Sequence, residues 1–130
     1  MLDYEMFNPY EGLIFDMDGT LIDTMPVHAQ AWTMVGERFG YEFDCQIMYN
    51  FGGATVRTIA GEMMKAANMP LDRIEDVLAA KRELSYQLIP IQSKLLPTFE
   101  IIKSFHQKKP IALGSGSHRK IIDMLMDKLA

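Results

Sequence analysis

One cysteine, Cys45, stands among 130 residues, so no disulfide can form within the chain. No Cys/His cluster has the spacing of a structural zinc site. Positive charge is also scarce: 13 Lys and Arg stand against 17 Asp and Glu, a formal net charge of -4. Phosphate-backbone binding needs a basic surface, so nucleic acid is not expected as the partner. No apolar run approaches the length of a bilayer span, so no membrane association is expected. The opening residues Met1-Leu2-Asp3-Tyr4-Glu5 lack a basic region followed by an apolar core, which argues against a secretory leader. These absences together predict a reducing cytoplasm. Apolar residues are not scarce. At 48% hydrophobic and 23% charged, the composition is that of an ordinary globular domain, and disorder is not expected. The 11 methionines mostly fall at helical spacing and read as adaptable core filling.

Two short apolar runs end in polar loops. Gly12-Leu13-Ile14-Phe15 stops at Asp16, and Pro110-Ile111-Ala112-Leu113 stops at Gly114-Ser115-Gly116-Ser117. Each reads as a buried strand of a parallel sheet. Between them the pattern is helical. Val27, Ala31, Met34, Val35 and Phe39 share one face of a helix that Asp23 or Thr24 can cap, with Pro26 in its first turn and Gly40 ending it. A short helix is expected over 44–50, broken by Phe51-Gly52-Gly53. A longer one starts at Ala54, and a third runs from Leu71 to Leu88 with Ile74, Val77, Leu78, Leu84 and Leu88 on its apolar stripe. Pro90 to Pro97 reads as a connector, 98–107 as a helix and 119–129 as the last one. The expected fold is α/β: an incomplete Rossmann-like parallel-sheet core, residues 1–23 and 96–130, with an α-helical cap inserted over 24–95. In such open sheets ligands lie at the carboxyl ends of the strands. Those ends are Asp16-Met17-Asp18-Gly19-Thr20 and Ser115-Gly116-Ser117.

Two carboxylates two residues apart repel each other unless a cation joins them or one takes a proton. Both solutions serve phosphoryl transfer. Magnesium is held by one or two carboxylates together with phosphate oxygens. One aspartate can attack phosphorus as a carboxylate nucleophile, while the other protonates the leaving oxygen and later activates water. Gly19 permits a sharp turn, and N–H groups around Gly19 and Thr20 can cradle a phosphate. For Asp-x-Asp-Gly alone, a plain turn is the competing reading.

The longer string, an apolar strand followed by Asp16-Met17-Asp18-Gly19-Thr20-Leu21-Ile22-Asp23-Thr24, resembles the first motif of the haloacid dehalogenase superfamily. Its Asp-Gly-Thr form is similar to the phosphatase and phosphomutase branches, since the dehalogenases lack the second aspartate. The resemblance implies that Asp16 is nucleophile and metal ligand. It makes Asp18 the general acid/base, with its backbone carbonyl also on Mg2+. Ile111-Ala112-Leu113-Gly114-Ser115 resembles the second motif, which implies that Ser115 binds a phosphate oxygen; Ser117 is assigned to phosphate with it. The helical block resembles the cap of the β-phosphoglucomutase-like and fructose-1-phosphatase-like subgroup. His28 and Trp32, four apart on one helix face, stand where that subgroup places a His and a Trp. By that resemblance His28 supports Asp18 or a substrate hydroxyl. Gly52-Gly53-Ala54-Thr55-Val56-Arg57 resembles the substrate-specificity loop, and the planar fork of Arg57 suits oxyanions.

The subgroup's mutases carry a lysine just before this loop, where this chain has Tyr49-Asn50-Phe51. The expected function is therefore a magnesium-dependent phosphatase of small phosphosugar monoesters working through an aspartyl-phosphate. A phosphosugar mutase and an inactive fragment acting only by association are the alternatives. The family's third-motif lysine and fourth-motif acids have no counterpart within the 130 residues. The 130-residue chain is expected to show weak or no activity, and its exposed sheet edge is expected to favour self-association.

Overall fold

The computed structural model describes residues 3–129. After a 3-10 turn at Tyr4–Phe7, the first strand, β1, is Leu13–Asp16. It pairs in parallel with β4, Ile111–Gly114, in a register that sets Leu13 opposite Ile111 and Asp16 opposite Gly114. This register brings the two polar strand ends side by side. The strand is not buried on both faces as its continuous apolar run suggested. Leu13 and Phe15 are half-buried, but Ile14 is 82% exposed. Among the described residues only one face of the two-stranded sheet is covered.

Helix α1 is Met25–Arg38, with Pro26 in its first turn where a missing N–H costs no helical bond. A short α2, Gln46–Asn50, follows, then α3, Val56–Ala66, which the Thr55 hydroxyl caps by accepting the Thr58 N–H at 3.2 Å. A 3-10 turn, Leu71–Arg73, leads into α4, Ile74–Gln92. Here the expected connector is corrected: α4 continues through Pro90, which is buried inside the helix, and the Ser93 N–H closes its end on the Ile89 carbonyl at 3.1 Å. Proline removes one donor, but tertiary burial outweighs that local loss. Helix α5 is Phe99–Phe105 and α6 is Arg119–Leu129.

A second ribbon was not expected. Strand β2, Ile22–Asp23, pairs antiparallel with β3, Lys94–Leu95. It ties the chain entering the helical block to the chain leaving it. Two residues per strand leave too short a pattern for periodicity to show.

The apolar side chains gather in two clusters. One joins α1, α3 and α4 around Ala31, Trp32, Val35, Met63, Met64, Val77 and Leu84, with Phe43 and Met48. The other lies beneath the strand ends, around Met17, Leu21, Ile22, Phe99, Ile121 and Leu125, and includes Val27 and Ile89 from the helical block. No helix is long and apolar enough to cross a membrane among the described residues.

Candidate functional site at the strand ends

The segment after β1 folds on the Met17 carbonyl. That one oxygen accepts the N–H groups of Thr20, Leu21 and Ile22 at 3.2, 3.0 and 3.2 Å, and Gly19 N–H reaches Ile22 O at 2.9 Å. The turn requires φ +74 at Gly19, where a side chain would be strained. Met17, Leu21 and Ile22 are fully buried, so apolar anchoring holds the turn while the alternate residues face outward. The Thr98 hydroxyl donates to the Thr20 carbonyl and pins the turn from the start of α5. This geometry corrects one expectation. The N–H groups of Gly19 and Thr20 already donate within the turn, so they do not form a phosphate cradle. The turn's own backbone bonds do not use the N–H of Asp18.

The two aspartates stand in different surroundings. Asp16 is exposed, and its carboxylate accepts only a long 3.4 Å contact from the Thr20 hydroxyl among the described residues. Asp18 is half-buried and held on both oxygens. Thr24 donates to Oδ1 at 2.5 Å, and His28 Nε2 lies 3.3 Å from the same oxygen. Ser117 donates to Oδ2 at 2.8 Å, with Ser115 at 3.4 Å. The Thr24 hydroxyl therefore does not cap α1, although Thr24 sits at the cap position. Burial by itself raises the Asp18 pKa. The hydrogen bonds from His28, Thr24 and Ser117 outweigh it and hold the carboxyl at about 2.

Behind His28 lies Lys81, which the sequence reading missed. Its ammonium is 3.1 Å from His28 Nδ1 and donates to the Ser85 hydroxyl at 2.8 Å. It lies 5.1 Å from the Trp32 ring centroid and is only 4% exposed. An ammonium has donors only, so Nδ1 accepts and the proton of neutral His28 sits on Nε2, directed at Asp18. Burial lowers the Lys81 pKa from 10.5 to about 8, against the pull of Asp18. Burial also lowers that of His28; the bond to Asp18 opposes the shift and the Lys81 charge reinforces it. A signal for Lys81 existed: on the apolar stripe 74, 77, 84, 88, position 81 falls where another apolar residue belongs, and a lysine occupies it.

Asp16, Asp18, Thr20, His28, Ser115 and Ser117 thus come together at one end of the sheet. Arg57 does not join them. It pairs with Glu75 at 2.6 Å across the exposed junction of α3 and α4, and among the described residues that is its only hydrogen-bond partner. The reason is local: the first turn of α4 carries the acids Glu75 and Asp76 beside the start of α3. Among the described residues no three His, Cys, Asp or Glu side chains gather into a metal cluster. The oxygens available to a hard cation are the open Asp16 carboxylate and the Asp18 carbonyl. Two such ligands fit magnesium, which keeps much of its water and takes substrate oxygens. The Asp18 side chain is engaged by its four donors.

A parallel sheet whose strand ends carry this aspartate pair and serine loop is the core of a known enzyme class, and the chain belongs to the haloacid dehalogenase-like hydrolase family, whose model matches residues 10–130. A Haemophilus influenzae protein described only as uncharacterized is 95% identical over 130 residues, covering 100% of this chain and 65% of that protein. Fructose-1-phosphate phosphatase YqaB of Escherichia coli is 34% identical over 125 residues, covering 95% of this chain and 65% of that enzyme. The chain thus spans about 65% of the length of these curated relatives. A solved haloacid dehalogenase-like family protein from Streptococcus pneumoniae shares the fold with a TM-score of 0.76 at 17% identity, over 93% of this chain and 57% of that one.

Proposed function

We propose that the protein is a magnesium-dependent phosphatase of small phosphosugar monoesters, with Asp16 as nucleophile and Asp18 as general acid/base. The carrying observation is the contrast between the two carboxylates: Asp16 is open to an incoming phosphate, while four donors fix Asp18 beside it. In this reading an Asp16 oxygen bonds to phosphorus as the bond to the sugar oxygen breaks. The departing oxygen takes a proton from Asp18. Water then attacks phosphorus, gives its proton to the Asp18 carboxylate and releases Asp16. Asp18 is ionised as it stands, which suits the water-activating half. Protonation for the first half requires one of its hydrogen bonds to yield. The Asp16 carboxylate and the Asp18 carbonyl would hold magnesium, whose charge offsets that of the phosphate.

In this reading residues 24–95 are the cap and 1–23 with 96–130 the core part, of which 1, 2 and 130 lie outside the described residues; the two apolar clusters support this division, with Val27 and Ile89 packed on the core side of it. The relatedness to YqaB supports a phosphosugar as substrate, and the setting is the cytoplasm. The test uses protein produced from its full reading frame, with fructose 1-phosphate and magnesium. Asp16→Asn should lower phosphate release by about a thousandfold or more. Retained turnover in that variant would sink the nucleophile assignment. An isomerised sugar phosphate in place of free phosphate would identify a mutase.

A further inference from the structure

The two serines after β4 are not equivalent. Ser115 Oγ accepts the Ser117 N–H at 3.1 Å, and its own proton makes only the 3.4 Å contact with Asp18. Ser115 therefore keeps a hydroxyl proton for a phosphate oxygen. Ser117 is committed elsewhere: its N–H is on Ser115, and its single hydroxyl proton is on Asp18 Oδ2 at 2.8 Å. A hydroxyl has one proton to donate, so in this arrangement Ser117 has none left for phosphate.

Its place in the topology gives the contact its purpose. Asp18 Oδ1 is gripped by Thr24 and His28, both at the start of α1. Among the described residues only the loop after β4 reaches Oδ2. The carboxylate plane is thus fixed between two segments that the parallel register of β1 and β4 brings together. Without Ser117, Oδ2 keeps just the long Ser115 contact, and the carboxylate is free to turn about its terminal bond, which has a broad torsional well.

We infer that Ser117 is a positioning residue that aims the Asp18 carboxylate, rather than a phosphate ligand. The inference rests on the reading of Asp18 as general acid/base. An acid or base turned away from the reacting oxygen lowers the rate of the step without weakening ground-state binding. The experiment is steady-state kinetics with fructose 1-phosphate and magnesium on protein from the full reading frame, comparing Ser117→Ala, Ser117→Thr and Asp18→Ala. Ser117→Ala should lower kcat about tenfold or more with KM within about twofold, and Ser117→Thr, which keeps the hydroxyl, should restore most of the loss. A raised KM at constant kcat would make Ser117 a substrate contact and overturn the inference, as would unchanged kinetics or a loss that Thr does not restore. Full activity in Asp18→Ala would instead remove the reading of Asp18 itself. A silent Ser117→Ala beside a dead Asp18→Ala removes only the positioning role.

Discussion

At the scale of single residues, environment separates groups of one chemical type. Asp16 and Asp18 are two positions apart, yet one is open and the other carries four donors. Lys81 shows the same principle with a cation. It is buried against Trp32, with neutral Ser85 and the His28 ring as its hydrogen-bond partners and, among the described residues, no carboxylate in direct contact. Its removal therefore strands no buried counter-charge, and Lys81→Met should stabilise the fold by about 1 kcal/mol at neutral pH. The sign with pH follows from its folded pKa of about 8, below the ordinary 10.5. Between these values the unfolded chain binds more protons, so native stability rises with pH across that window. The advantage of Lys81→Met is accordingly full below about pH 8 and shrinks toward 10.5. Urea unfolding at pH 7 and pH 10 measures both; a Met variant that is less stable at pH 7 contradicts the argument.

At the scale of elements, α1 depends on a residue that helix propensity disfavours. Gly36 sits inside it, and a Cβ there would stand 2.8 Å from the Tyr41 carbonyl oxygen and 3.1 Å from the Phe43 ring and N–H. The chain leaving α1 turns back at Gly40 (φ 80) and packs across this point, with the Tyr41 N–H on the Gly36 carbonyl at 2.8 Å. Gly36→Ala gains roughly 1 kcal/mol in propensity. It forces backbone apart at a well-packed contact, which costs typically 1–3 kcal/mol. The net outcome expected is a lower unfolding midpoint; a raised one would show that the 41–43 segment yields freely. The passage of α4 through Pro90 is another element set by packing. So is the β2–β3 ribbon, in which Ile22 pairs with Leu95 and Asp23 with Lys94 from the opposite end of the helical block.

At the scale of the molecule, two apolar clusters both pack against Leu88 of α4, and among the described residues the sheet presents one uncovered side. Ile14 at 82% exposure lies on that side, in a strand whose second edge has no partner among the described residues. An exposed apolar strand edge is a template for association. Sedimentation of the 130-residue chain should show concentration-dependent oligomers, and Ile14→Lys should shift it toward monomer. A monomeric parent chain at high concentration would refute this.

Patterns that act over a few residues were readable in the sequence. The Asp16–Thr24 string, the apolar strands ending at Asp16 and Gly114, and the amphipathic helices rest on local sterics and short-period hydrophobicity. These carried the α/β class and the family. What tertiary structure decided lies between segments distant in sequence. It directed the Gly19 and Thr20 N–H groups into the turn and Arg57 onto Glu75. It drove α4 through Pro90. It also set Ser117 and Thr24 on opposite oxygens of Asp18, with Lys81 behind His28. A hydrogen-bond donor's partner is chosen by which acceptor the folded chain brings within about 3 Å, and spacing along the sequence does not encode that.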